Sequence, residues 1–170
     1  MAYLYFDSAA TAMPKEYAKE AALRAISEYG NPSSQHGAGV AAKRLVEDAR
    51  EQVAKALRCQ GKEITFVSSG TEANNQAIFG LAKARQKRSN RILTTDSEHP
   101  SVEEPLKALE AQGFRVIRIS TRGGVLDEEQ LKKELESPVA FVTMMGANNE
   151  TGAVYDLPRV RRLMTAAGGD

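Results

Sequence analysis

Three short segments of this chain carry residue types that could hold a ligand without a metal. In SSGTEANN, residues 68–75, small residues and a glycine lead into a helical pattern. A helix start offers free N–H groups and the positive end of the helix dipole, so Gly70 and Thr71 are candidate donors of a phosphate cup, with Thr71 adding its hydroxyl. Serine or threonine at such a place serves equally well as a helix cap. In DSEHP, residues 96–100, His99 has a flat ring that can stack on an aromatic ligand or move protons, and that suits a surface loop just as well. In MGANNETG, residues 145–152, Asn148 and Asn149 are adjacent amides that donate and accept without charge. They fit a ligand hydroxyl or carboxylate, an Asx-turn, or a glycosylation sequon at Asn149-Glu150-Thr151.

The elements that must position these segments follow from periodicity. Apolar residues at helical spacing predict helices over 14–29 and 40–58, with the turn-rich GNPSSQHGAG as a loop between them. After Gly61 short apolar runs predict strands at 63–67, 91–95, 114–120 and 139–144. Helical patterns separate and follow them at 71–87, 101–112, 127–135 and 157–167, the last with Pro158 near its start and Gly168-Gly169 past its end. Pro105 predicts a single turn from Ser101 and a helix proper only from Pro105 onward. This alternation defines an α/β fold, an incomplete and mainly parallel sheet with flanking helices. Its expected organisation is an N-terminal arm over 1–13, extended from Tyr3 to Ala12, a helical segment over 14–60, and a partial α/β domain over 61–170. In such sheets ligands bind outside the carboxyl ends of the strands, where all three segments are expected to converge.

Composition narrows the function classes. The chain has 170 residues, 42% of them hydrophobic, enough for one domain with a core. Its 23 basic and 22 acidic residues are interspersed, so no charged field points to nucleic acid or an anionic membrane. No apolar run is long enough to span a bilayer, and MAYLYFDSAAT lacks the pattern of a secretory leader, which predicts a cytoplasmic protein. One cysteine and two histidines fall short of any familiar metal pattern, so no metal is expected. Cys59, in a helix-to-strand connection, reads as a partly buried structural thiol.

The segments YFDSAATAMP, YGNPSSQHGAG, FVSSGTEANNQAI, DSEHPSV and MMGANNETGAV occur in the order and at the spacing of cysteine desulfurases, and over essentially its whole length the chain resembles the N-terminal portion of these enzymes. They belong to the class V aminotransferase group of fold-type I enzymes that use pyridoxal 5′-phosphate. The resemblance implies that Gly70 and Thr71 hold the cofactor phosphate. It implies that His99 stacks on the pyridine ring and assists catalytic proton transfers, and that Asn149 contacts the cofactor near its phenolic oxygen. The implied activity converts L-cysteine to L-alanine and an enzyme-bound persulfide, supplying sulfur for iron–sulfur clusters or thio-cofactors through an acceptor or scaffold protein, in a homodimer. The family's cofactor-anchoring lysine, pyridinium-pairing aspartate, nucleophilic cysteine and substrate-carboxylate arginine lie beyond the position of Asp170, and no lysine here follows a histidine. The 170-residue chain alone is therefore expected to be inactive. Two other readings fit the same residues: a non-catalytic binding or half-enzyme module, and another class V member such as a selenocysteine lyase or an aminotransferase.

Overall fold

The computed structural model describes residues 4–168, and its chain divides into two compact units, up to Phe66 and from Val67 onward. Tyr3 of the expected arm, and Gly169 and Asp170 at the other end, lie outside the described residues.

In the first unit, α1 (Glu16–Ser27) and α2 (Gly37–Leu57) form on the alanine-rich repeats. Helix α2 begins three residues before the expected start, taking in Gly37-Ala38-Gly39. Gly39 is why this is possible: a β-carbon there would lie 2.3 Å from the Ser34 carbonyl oxygen, so only glycine lets the preceding turn press against the helix. Helix α1 forms as its spacing predicts but buries none of its residues. The segment from Tyr5 to Thr11 is a correction to the extended arm, because the Ala10 and Thr11 amides bond back to the Asp7 carbonyl. The Tyr5 hydroxyl lies 2.8 Å from the carbonyl oxygens of both Asp7 and Thr11 and closes the turn.

The strand expected at 63–67 is absent. Gly61–Glu63 is instead a single 3-10 turn, closed by Gln60 and Glu63 in a reciprocal cap. Ile64 is extended but has no strand beside it. Its carbonyl is taken by Arg50 Nη1 at 2.6 Å, while the same guanidinium lies 5.0 Å from the centre of the Phe66 ring. Backbone with strand-like dihedrals becomes a strand only when a ladder satisfies it.

The second unit is built as the alternating pattern requires. Helix α3 (Gly70–Arg85) leads to β1 (Arg91–Thr95), α4 (Pro100–Ala111), β2 (Arg115–Ile119), α5 (Glu128–Leu135), β3 (Phe141–Val142) and α6 (Leu157–Ala166). The three strands form one parallel sheet in the order β2-β1-β3, with Leu93 opposite Ile117 on one side and Val142 on the other. Strand β3 is shorter than expected, two residues long, and its ladder ends with the Thr143 amide on the Leu93 carbonyl.

The two-residue period of β1 sorts the core. Ile92 packs with Ile78, Ala82, Leu106, Leu109 and Phe141 beneath α3 and α4, whereas Leu93 packs with Ile119, Leu131, Leu135 and Val160 beneath α5 and α6. Both faces of the sheet are thus covered, and central strand β1 is buried from Ile92 to Thr95. Each fully buried Leu or Ile contributes about 1.5–3 kcal/mol relative to exposure.

Helix α4 runs unbroken through Pro105, a correction to the expected break. Proline at that position removes one hydrogen bond, the one the Ser101 carbonyl would otherwise accept. Its buried ring offsets part of that cost.

Candidate cofactor site

The order β2-β1-β3 creates a switch point. The exit of β1 turns into α4 on one face of the sheet, while the neighbouring exit of β3 leads toward α6 on the other, and between two such exits a crevice opens. Glu98, half-buried in the first exit, spans it. Its Oε1 accepts the Thr95 hydroxyl at 2.5 Å and the Met145 amide of the second exit at 3.0 Å. Asn148 adds a second tie, donating from Nδ2 to the Ser97 carbonyl at 3.0 Å.

His99 stands at the N-cap of α4, and its Nδ1 accepts the Ser101 amide at 3.0 Å. The Ser101 hydroxyl lies 2.8 Å from the same nitrogen and also receives Asn74 Nδ2 of α3 at 2.8 Å. This places the start of α3 beside the start of α4. Thr71 and His99 accordingly line one cavity of about 440 Å³, with Asn75, Phe79, Ser101 and Pro105 among its walls. Gly70 directly precedes Thr71, and the space its β-carbon would fill is open to 4 Å.

The N-terminus of α3 is partly occupied. Ser69 is the N-cap and its hydroxyl accepts the Glu72 amide, and the Glu72 carboxylate takes both the amide and the hydroxyl of Ser68. Those Ser68 bonds, the hydroxyl's first, hold the Glu72 carboxyl below its ordinary value. Gly70 and Thr71, as the opening residues of the helix, have no carbonyl a turn earlier to receive their amides. Two adjacent amides, a hydroxyl and a helix dipole are suited to a phosphate, and a flat imidazole beside mainly apolar walls is suited to an aromatic ring. The residues present therefore fit a phosphorylated pyridine. Among the described residues no cluster of histidine, cysteine and acidic side chains could hold a metal ion, and no helix is long and apolar enough to cross a membrane.

The two asparagines part company. Asn148 is buried, its Oδ1 accepting the Glu150 and Thr151 amides in an Asx-type turn, whereas Asn149 is exposed and does not line the cavity shared by Thr71 and His99. Thr71 sits behind no strand, since the expected strand before it does not form. Ser101, Asn74 and Glu98 escape a reading by local spacing because each acts on a segment distant in sequence. The one local signal is serine two residues after a histidine at a helix start.

The residues from 4 to 169 match the family model of class V aminotransferases. The chain belongs to that family. It is 37% identical over 162 residues to the cysteine desulfurase IscS of Dictyoglomus turgidum, an alignment covering 94% of this chain and 41% of the relative. It is 39% identical over 170 residues to a cysteine desulfurase of Trichormus azollae, covering 99% of this chain and 42% of that protein. The chain thus spans about two fifths of the length of these curated relatives. Among solved structures, a NifS-like protein superposes with a TM-score of 0.89 at 36% identity, covering 96% of this chain and 46% of that one. DndA from Streptomyces lividans superposes at 0.81 with 34% identity, covering 98% and 47%. The incomplete parallel sheet with helices on both faces is therefore the N-terminal part of the fold these proteins share.

Proposed function

We propose that this chain is the N-terminal portion of a cysteine desulfurase and supplies the phosphate- and ring-binding half of its pyridoxal 5′-phosphate site. The observation that carries the reading is the cavity that Thr71 and His99 share where α3 and α4 begin side by side, in a chain whose curated relatives are cysteine desulfurases. Gly70 and Thr71 hold the phosphate through backbone N–H groups and the Thr71 hydroxyl. His99 lies against the ring and moves protons at its exposed nitrogen, while Asn149 contacts the cofactor near its phenolic oxygen. The bound cofactor supplies an electron sink for cleavage of the carbon–sulfur bond of L-cysteine. The products are L-alanine and a cysteine persulfide, whose sulfur passes to an acceptor or scaffold protein in cluster or thio-cofactor synthesis. The assembled enzyme is a cytoplasmic homodimer.

The lysine that anchors the cofactor and the nucleophilic cysteine are not supplied by these residues. The chain alone binds the cofactor weakly and reversibly and releases no sulfide from L-cysteine. The test is a titration of the purified chain with pyridoxal 5′-phosphate followed by absorbance, then borohydride reduction and mass spectrometry. Saturable binding is expected, weakened about tenfold in both Thr71→Ala and His99→Ala, the loss of about one hydrogen bond or stacking contact. Labelling after reduction should be scattered and substoichiometric. Binding unaffected by either substitution, or sulfide released by the chain alone, would overturn the reading.

A further inference from the structure

We propose that Asn74 and Ser101 are positioning residues that hold His99 in the tautomer protonated at Nε2, so that the ring presents a hydrogen-bond donor to the cavity. The argument is a count of protons. Asn74 Nδ2 donates to Ser101 Oγ at 2.8 Å, so one oxygen lone pair is taken by a group that cannot accept in return. The single Ser101 hydroxyl proton is left to point along the 2.8 Å contact to His99 Nδ1. The Ser101 amide, at 3.0 Å, aims at the same nitrogen. Both neighbours of Nδ1 are donors, so in the neutral ring Nδ1 is the lone-pair nitrogen and the proton sits on Nε2.

Burial keeps the arrangement in place. Ser101 is buried and Asn74 half-buried, so water does not compete freely for either group. His99 is itself exposed and lines the cavity, and among the described residues no acceptor is bonded to its Nε2. A neutral His99 held this way presents a hydrogen-bond donor at Nε2, and it cannot accept a proton there without first changing tautomer. That consequence for catalysis rests on the cofactor site proposed above. The tautomer does not, because it follows from protein groups alone.

The test is long-range proton–nitrogen correlation NMR of the ring nitrogens in the nitrogen-15-labelled chain without added cofactor, at a pH where the rings are neutral. The chain has only two histidines, and His36→Gln assigns the other signal to His99. The expected result is a single His99 tautomer with the proton on Nε2. Asn74→Asp is the isosteric reversal: a carboxylate accepts the Ser101 hydroxyl proton, turns the hydroxyl oxygen toward Nδ1 as an acceptor, and shifts the ring toward the Nδ1-protonated form. Ser101→Ala removes the hydroxyl donor and keeps the backbone amide on Nδ1, so the Nε2-protonated form should stay the major one with a minor Nδ1-protonated population, and Ser101→Thr should restore the single form. A wild-type ring protonated on Nδ1 would overturn the proposal, as would a tautomer unmoved in both Asn74→Asp and Ser101→Ala. The wild-type spectrum decides the tautomer even if a variant fails to fold. A loss of cofactor binding with the tautomer intact would count against the cofactor reading only.

Discussion

Asn148 Nδ2 donates to the Ser97 carbonyl at 3.0 Å, and this bond joins the loop after β3 to the loop that carries His99. The same side chain closes its own turn by accepting two amides on Oδ1. Its amide is therefore spent on the protein, and it is the exposed neighbour, Asn149, whose side chain is left for a ligand. Two identical residues side by side thus differ in surroundings, one buried and bonded within the protein and the other exposed.

Asn148→Ala should accordingly destabilise the fold by about 2 kcal/mol, since the buried side chain is lost and two turn amides and the half-buried Ser97 carbonyl lose their partner. Asn149→Ala should change stability by no more than about 0.5 kcal/mol, the usual range for an exposed position, while weakening cofactor binding. Urea unfolding of both variants beside a pyridoxal 5′-phosphate titration measures the contrast. Equal stabilities for the two variants would contradict this division.

Glu98 should behave as a clamp. Glu98→Ala removes the acceptor of the buried Thr95 hydroxyl and of the Met145 amide, at a cost of about 1–3 kcal/mol for the stranded groups. Hydrogen exchange at the Met145 amide should accelerate in Glu98→Ala and stay slow in Glu98→Gln, whose carbonyl oxygen can still accept. Slow exchange at Met145 in the alanine variant would show that another group holds the crevice together.

How far the sequence could be read depended on how local each signal was. Strand β1, α3 and α5 were legible because their apolar spacing and caps lie within a few residues. Residues 64–67 misled because an apolar β-branched run reports strand preference and not the presence of a pairing partner, and here the Ile64 carbonyl goes to Arg50. Pro105 is not legible as a helix interior because the burial of its ring, which offsets part of the lost hydrogen bond, is a tertiary contact. Thr71 and His99 are marked by residue type at helix starts, although the strand expected before Thr71 does not form. Asn74 is not, since its bond to Ser101 joins residues 27 apart on two different helices, a pairing that local spacing does not mark.

The loop before α3 should loosen in acid. Glu72 has a folded pKa below its ordinary value because Ser68 donates to it from hydroxyl and amide. A depressed carboxylate stabilises above its unfolded pKa, and that contribution is lost as the pH falls through the lower, folded value. Titrating from about pH 6 to about pH 3 should shift the Ser68 amide resonance and speed its exchange with the Glu72 titration. Glu72→Gln should abolish this pH dependence, and an unchanged Ser68 response in that variant would place its cause elsewhere.

A second acid-sensitive tie fastens α4 to β2. Arg118 Nη2 meets Glu103 Oε1 at 2.7 Å and its Nη1 meets Glu110 Oε1 at 3.0 Å, so one guanidinium fork engages two carboxylates about two turns apart on the same face of the helix. The hydrogen bond from Arg118 is the main reason the Glu110 carboxyl lies below its ordinary value. The partners are only partly buried, so screening limits the tie to about 1 kcal/mol. Arg118→Met keeps the aliphatic stem over the helix and removes the charge, which isolates the electrostatic part. Near neutral pH the variant should unfold at lower urea than the wild type. As the pH falls through the folded pKa of Glu110 the advantage of the wild type is lost, and the two urea midpoints should converge. A gap that stays constant through the acid range would mean that Arg118 acts by packing and not by charge.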